Sequence, residues 1–219
     1  MKKKIKILLA DDHKITRDGL CVLINSQSNM KVVGQAENGR SALDMALDLI
    51  PDVIVMDINM PELNGIDATH KIVKELPETK IIILSMYSDK RYIIGALKAG
   101  VSGYLLKNCA FDELLNAINS VLKNKRYMSS EIADLVMEGY AHSLVSNEPP
   151  GISILTTRER EVLQLIAEGM KTNDIASKLF VSVKTISTHR RQIMEKLNTD
   201  NIADLIKFAL KEGLITLET

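Results

Sequence analysis

The run Val53-Ile54-Val55-Met56-Asp57-Ile58-Asn59-Met60-Pro61 places an acidic side chain directly after a short apolar segment. Four consecutive apolar residues predict a buried strand, and the proline predicts a turn soon after it. Similar apolar runs come before the acidic pair Asp11-Asp12, before Ser85 and before Lys107. A polar group that repeatedly follows a strand indicates a functional edge of a sheet.

Strand-like and helix-like patterns alternate over about the first 125 residues. Apolar or β-branched runs predict strands at Ile5–Leu9, Lys31–Ala36, Asp52–Met56, Lys80–Ser85 and Gly103–Leu106. Amphipathic stretches predict helices near His13–Asn25, Ser41–Leu49, Ile66–Leu76, Lys90–Ala99 and Phe111–Lys123. Five such repeats predict a doubly wound α/β fold, in which helices cover both faces of a five-stranded parallel sheet.

The polar residues that follow the strands are expected to meet at one rim, because ligands of such sheets bind beyond the carboxyl ends of the strands. Two carboxylates about 4 Å apart repel each other by roughly 4 kcal/mol at an effective dielectric near 20. Alone, Asp11 and Asp12 could be helix caps and Asp57 a turn residue. Together they predict a site for Mg²⁺ or Mn²⁺, which prefer oxygen ligands.

This set of side chains suits phosphoryl transfer to a carboxylate. Asp57 is the candidate nucleophile, which would form an acyl phosphate. Lys107 would add a fixed positive charge, and Ser85 could donate a hydrogen bond to a phosphoryl oxygen. The residues therefore predict a phosphoacceptor site in which phosphorylation changes the hydrogen bonds of a neighbouring side chain.

Residues 4–123 resemble the receiver domain of two-component response regulators, through Asp11-Asp12, Asp57, Met60-Pro61, Ser85 and Gly103–Lys107. The resemblance implies a flavodoxin-like fold and phosphorylation of Asp57 by a sensor histidine kinase. It also implies Mg²⁺ held by the acidic residues and by the Asn59 backbone carbonyl. Tyr104 would be the switch aromatic that turns inward, although a tyrosine of an amphipathic strand would match the same pattern. Many receivers have proline after the lysine, whereas Asn108 follows here, so a cis peptide is not expected.

After Lys125 the pattern changes to helices alone. Tyr127–Tyr140 predicts one more helix, and Ser146–Gly151 contains two prolines and a glycine among polar residues, as in a linker. We therefore divide the chain into a phosphoacceptor domain over 1–125, a helix and linker over 126–153 and a small all-α domain over 154–219.

The C-terminal part predicts four helices with a helix-turn-helix. Thr156 and Glu159 form a capping-box pattern, and Ser182 is a good N-cap for a helix over Val183–Leu197. Residues 153–212 resemble the LuxR-type helix-turn-helix of the NarL/FixJ subfamily, through motifs such as Asp174-Ile175-Ala176 and Lys184-Thr185-Ile186. The resemblance implies that Val183–Leu197 enters the major groove of DNA.

Seven polar residues of that helix are candidate DNA contacts. Those placed nearest to base edges are Ser187, Thr188 and Arg191, and those placed nearer to phosphates are Lys184, Thr185, Arg190 and Lys196. In the last helix, a helically spaced apolar set is either a dimer face, as the subfamily implies, or a packing face within the domain: Ile202, Leu205, Ile206 and Ala209.

Composition limits the other functions. The net charge of +0 means that DNA affinity must come from a local cationic patch, and two cysteines provide neither a disulfide framework nor a zinc quartet. No apolar stretch approaches the 18 residues of a membrane span, so we expect a cytoplasmic protein.

Three functions remain in view. The first is a transcription regulator that forms a DNA-binding homodimer when phosphorylated. The second is a phosphatase with an aspartyl nucleophile, which generally needs an acid where Asn59 stands. The third is a DNA-binding protein whose N-terminal domain is a dimerisation scaffold without a phosphate switch. A receiver dimer could form through the first and fifth helices or through the edge around Lys90–Tyr104.

Overall fold

The computed structural model describes residues 4–145 and 155–215, without the side chains of 138–145. The chain divides into two compact units, residues 1–146 and 147–219. The first unit alternates strands and helices in the order β1 (Ile5–Ala10), α1 (Lys14–Asn25), β2 (Met30–Ala36), α2 (Gly39–Leu49), β3 (Val53–Met56), α3 (Gly65–Glu75), β4 (Lys80–Ser85), α4 (Lys90–Ala99), β5 (Gly103–Leu106), α5 (Phe111–Val121), β6 (Tyr127–Met128) and α6 (Ser130–Val145).

The sheet is parallel, with strand order β2-β1-β3-β4-β5-β6, which confirms the predicted doubly wound α/β fold. Within residues 4–145 the sheet has the five predicted strands and a short sixth strand beside them. The sixth, Tyr127–Met128, pairs with Gly103 and Tyr104 of β5. Two residues are too short to show a strand period, so the sequence pattern over Tyr127–Tyr140 suggested a helix. That helix begins at Ser130.

Two apolar cores cover the two faces of the sheet. One joins α2, α3, α4 and the start of α6 to side chains such as Met56, Ile83 and Tyr104. The other packs α1 and α5 onto side chains such as Leu9, Val55 and Leu105. Both cores contain residues of β1, β3, β4 and β5, because alternate side chains of a strand point to opposite faces. These four strands carry the predicted site residues, so the site rests on a buried frame.

The segment after α5 packs with the sheet. Ile132 of α6 is fully buried in the same core as Ala96 of α4, and Leu135 and Val136 pack against that core. Residues 126–137, which belong to the predicted helix and linker, therefore pack with the first unit. The proline-containing stretch of the predicted linker, residues 146–153, lies outside the described residues.

The second unit contains the four predicted helices, α7 (Thr157–Ala167), α8 (Thr172–Lys178), α9 (Val183–Leu197) and α10 (Ile202–Lys211). The capping box is present: the Thr156 hydroxyl accepts from the Glu159 backbone N–H, and the Glu159 carboxylate accepts from the Thr156 N–H at 2.7 Å. Side chains of all four helices, including Leu163, Ile175, Ile193 and Leu205, close a common core. The arrangement confirms the predicted helix-turn-helix unit.

No cis peptide bond and no helix long and apolar enough to cross a bilayer occur within 4–145 or 155–215. The trans bond between Lys107 and Asn108 agrees with the expectation from the missing proline.

Candidate functional site

The acidic side chains meet at the carboxyl edge of the sheet. Asp11 follows β1 and Asp57 follows β3, and the two strands are adjacent and parallel. Both residues are 4% exposed. The Asp57 backbone is fixed because its N–H donates to the Ala10 carbonyl at 2.8 Å. The ends of two neighbouring strands thus place two buried acids side by side.

Lys107 joins the two acids. Its Nζ lies 2.7 Å from Asp57 Oδ2 and 2.8 Å from Asp11 Oδ2. Burial alone would lower the pKa of Lys107, but the charge of Asp57 and hydrogen bonds to Asp11 and Asp57 raise it overall. The lysine is therefore a fixed cation at the centre of the site.

Burial raises the pKa of Asp57 to about 6. Lys107 partly offsets this effect of burial, while the nearby charge of Asp11 adds to it. The other oxygen, Asp57 Oδ1, accepts a hydrogen bond from the Ile58 N–H at 2.7 Å. Each oxygen of Asp57 thus has a donor that fixes its orientation.

A divalent cation fits the donor set. Ligand atoms of Asp11, Asp12, His13 and Asp57 all lie within 4.8 Å of one another. Closely spaced carboxylates require a compensating cation, and their oxygens are the donors that Mg²⁺ prefers. Asn59 lies two residues beyond Asp57 in the loop that leads to α3. The acidic pocket therefore offers the oxygen donors that a divalent cation needs.

Ser85 and Tyr104 form a second layer beside the acids. Ser85 is fully buried, and its hydroxyl accepts from the Tyr87 N–H at 3.2 Å. Tyr104 is also fully buried, and its hydroxyl donates to the Tyr87 carbonyl at 2.7 Å. Burial raises the pKa of Tyr104, so its hydroxyl stays protonated and can donate. The switch candidate thus points inward in this structure.

Three residues of this site were missed from sequence. His13 lies against the acidic pair, Arg17 donates to the Asp11 backbone carbonyl, and Tyr87 links Ser85 to Tyr104. His13 follows Asp12 directly, and Tyr87 follows Ser85 by two residues, so proximity in sequence was an available signal. Arg17 gave no such signal, because only the turn of α1 brings it back over Asp11.

The recognition-helix candidate, α9, separates apolar from polar residues. Ile186 and Ile193 are buried in the domain core. Lys184, Ser187, Thr188 and Arg191 are exposed, while Thr185 and Arg190 are half-buried. The turn before α9 contains Phe180 at φ 53°, a left-handed conformation that glycine usually provides in such turns.

Lys196 differs from the other candidate DNA contacts. Its Nζ lies 2.7 Å from Glu159 Oε2, which ties the end of α9 to the start of α7. The ammonium thereby stabilises the domain, and its predicted phosphate contact has the least structural support of the seven.

The four apolar residues of α10 also differ in burial. Leu205 and Ala209 are fully buried in the domain core, which supports the packing interpretation for these two residues. Ile202 is 45% exposed and Ile206 is half-buried. A dimer face on α10 would therefore be formed by Ile202 and Ile206 and not by Leu205 and Ala209.

Comparison with known proteins agrees with this geometry. The family model for the response regulator receiver domain matches residues 7–119, and that for bacterial regulatory proteins of the luxR family matches residues 153–209. The oxygen regulatory protein NreC of Staphylococcus haemolyticus is 40% identical over an alignment of 217 positions, which covers 96% of this chain and 99% of that protein. The chain is a LuxR-family response regulator. Its two units are thus a receiver domain and a LuxR-type DNA-binding domain, which together serve transcription control.

Solved structures of other LuxR-family response regulators support the same assignment. A two-component response regulator from Aurantimonas has a TM-score of 0.60 and 33% identity, and covers 64% of this chain and 99% of its own. RcsB from Salmonella enterica serovar Typhimurium, bound to a promoter in the presence of phosphomimetic BeF₃⁻, has a TM-score of 0.61 and 27% identity. That match covers 96% of this response regulator and 100% of the RcsB chain.

Proposed function

We propose that the response regulator acts in the cytoplasm, where a sensor histidine kinase transfers a phosphoryl group to Asp57 and thereby converts it into a DNA-binding homodimer. The observation that carries the proposal is the buried Asp57 carboxylate, oriented by Lys107 and the Ile58 N–H. In the transfer, the P–N bond of a phosphohistidine breaks while a P–O bond forms to an Asp57 oxygen. Lys107 then lies beside the phosphoryl group and offsets its charge.

The same pocket supports a metal role for four residues. Carboxylates of Asp11, Asp12 and Asp57 and the backbone carbonyl of Asn59 would hold Mg²⁺ or Mn²⁺. When bound, the ion supplies positive charge that offsets the negative charge on the phosphoryl oxygens.

Ser85 and Tyr104 would transmit the effect of phosphorylation to β6 and α6. A phosphoryl group on Asp57 would accept a hydrogen bond from the Ser85 hydroxyl. This bond would alter the contacts that Tyr87 makes with Ser85 and with Tyr104. Tyr104 is paired with Met128, and its backbone carbonyl accepts from the Ser129 N–H at 3.2 Å, one residue before α6. We propose that β6 and α6 carry the change toward the DNA-binding domain.

The position of α6 also bears on the receiver dimer. β6 lies beside β5 and α6 packs on α4, so the edge around Lys90–Tyr104 is partly covered. On the opposite side, α1 exposes Ile15 at 90% and Val22 at 71%. Of the two faces considered from sequence, we therefore propose the one formed by α1 and α5.

Incubation of the full chain with acetyl phosphate and Mg²⁺ tests the acceptor. We expect mass spectrometry to show one added phosphoryl group, which is absent in Asp57→Asn and retained in Asp44→Asn, a change of an exposed acid on α2. A phosphoryl group retained in Asp57→Asn would contradict the assignment. Rapid turnover of unrelated phosphoesters would instead favour a phosphatase.

The exposed cations of α9 provide a test of DNA contact. We expect Arg191→Ala to weaken binding to a selected duplex by about 1–3 kcal/mol and to relax its base preference, because arginine reads guanine edges bidentately. Lys184→Ala should weaken binding to all sequences alike and reduce its salt dependence. Lys207→Ala, an exposed lysine on α10, is the matched control. Competition titrations with specific and random duplexes measure both effects; equal losses for all three variants would contradict the proposed contacts.

A further inference from the structure

Arg158 lies in the first turn of α7 and connects that helix to the turn that precedes α9. Its Nη1 donates to Glu161 Oε2 at 2.8 Å, and its Nη2 donates to the Leu179 backbone carbonyl at 3.3 Å. Leu179 caps the C-terminus of α8, and α9 begins at Val183. One guanidinium group therefore contacts both α7 and the turn of the helix-turn-helix.

The ion pair with Glu161 fixes the direction of the arginine. Glu161 is fully buried, whereas Arg158 is half-buried. Loss of the partner of a buried carboxylate is costly, so this pair is held strongly in place. Because the guanidinium group is planar and its donors have a fixed geometry, one anchored arm determines where the other arm points. Glu161 thus directs the second arm of Arg158 at the Leu179 carbonyl.

The turn that Arg158 contacts has a strained backbone. Phe180 has φ 53°, in the left-handed region, and its side chain is 95% exposed, so packing of that side chain does not hold the turn. Such a conformation persists where surrounding contacts determine it. The N–H groups of Phe180 and Val181 donate to carbonyls of α8, and Arg158 adds a contact from α7. The geometry at which α9 begins therefore depends in part on α7.

The next residue of α7 contacts the other end of α9. Glu159 accepts a hydrogen bond from Lys196 Nζ at 2.7 Å, one residue before α9 ends. Consecutive residues of α7 thus contact the turn before α9 and its last turn. We propose that Arg158 is a positioning residue for DNA recognition, which holds the start of α9 in place without itself contacting DNA. The inference rests on the DNA contacts of α9 in the proposed function.

Arg158→Lys separates the two contacts, because lysine keeps the charge opposite Glu161 but lacks the second arm of the guanidinium group. The full chain is titrated, with Mg²⁺ and beryllofluoride, against a duplex selected from random DNA and against the random pool. We expect Arg158→Lys to weaken binding to the selected duplex by about tenfold, comparable to one mismatched base pair. Binding to the random pool should weaken by less than about threefold, since it depends on phosphate contacts.

The salt dependence of binding distinguishes positioning from a direct phosphate contact. Arg158→Lys should leave the salt dependence unchanged, whereas Lys184→Ala should lower its slope by about one. Lys207→Gln is the matched control, because it breaks an exposed ion pair with Asp204 in the same domain, also between residues three apart. It should change neither the affinity nor the salt dependence.

Two-dimensional ¹H–¹⁵N spectra of the free chain separate positioning from loss of the fold. In Arg158→Lys, we expect shifted amide signals for residues 179–184 and unchanged signals for α10. The inference is overturned if Arg158→Lys binds the selected duplex as tightly as the unaltered chain, if it lowers the salt dependence, or if α10 signals change as much as those of the turn. If Lys184→Ala and Arg191→Ala also leave binding unchanged, the proposed DNA contacts of α9 fail as well.

Discussion

Gly65→Ala is expected to lower the free energy of unfolding of the receiver domain by about 2–4 kcal/mol. A Cβ at Gly65 would lie 1.9 Å from the backbone carbonyl oxygen of Asp57, a distance that no relaxation of side chains can relieve. The Gly65 N–H also donates to the Ile58 carbonyl at 2.7 Å, which holds the loop close. The substitution must therefore displace the backbone at Asp57, the proposed phosphoacceptor.

Gly19→Ala is the matched control for that change. Nothing lies within 4 Å of a Cβ at Gly19, which is inside α1, so alanine should stabilise the helix by up to about 1 kcal/mol. Urea unfolding followed by tyrosine fluorescence reports on the receiver domain, because all five tyrosines lie within residues 1–146 and the chain has no tryptophan. Equal stability of Gly65→Ala and Gly19→Ala would show that the loop is not packed as described.

Asp57→Asn is expected to raise the free energy of unfolding at pH 8, in the presence of a chelator, by about 3 kcal/mol. The pKa of Asp57 is about 6 in the folded protein against the ordinary aspartate value of 3.8. Each unit of difference corresponds to about 1.4 kcal/mol. Because the folded pKa is the higher one, the unfolded chain releases the proton first, and ionisation of Asp57 opposes folding.

The pH dependence follows from the same pKa difference. The unfavourable effect of Asp57 is absent below about pH 4, grows as the pH rises and is complete above about pH 6. The advantage of Asp57→Asn should therefore be present at pH 8 and lost near pH 4. Asp44→Asn, on an exposed acid, should show no comparable change. A pH-independent difference, or a destabilised Asp57→Asn, would contradict the assignment of a strained buried carboxylate.

Patterns in the sequence predicted most of the receiver frame. Strands such as Asp52–Met56 are apolar runs bounded by turn residues, and their carboxyl ends determine where Asp11, Asp57 and Lys107 lie. Parallel pairing then brings these side chains together regardless of their separation along the chain. The ion pairs of Lys107 with both acids follow from that topology.

The parts that were not predicted depend on packing between distant segments. β6 has only two residues, and its pairing with Tyr104 is decided by hydrogen bonds and not by a periodic pattern. Likewise, helical spacing in α10 could not distinguish the buried Leu205 from the exposed Ile202, because both fit one apolar face. Nothing in the sequence indicated the ion pair between Lys196 and Glu159, because the two residues lie far apart along the chain.

In the proposed function, the phosphorylation state of Asp57 controls DNA binding. We would select random duplex DNA with the full chain, in parallel with and without Mg²⁺ and beryllofluoride, a mimic of the acyl phosphate. We expect enrichment of a two-fold symmetric site mainly with the mimic, and its loss in Asp57→Asn. Equal enrichment with and without the mimic would contradict it, because DNA binding would then not be controlled from Asp57.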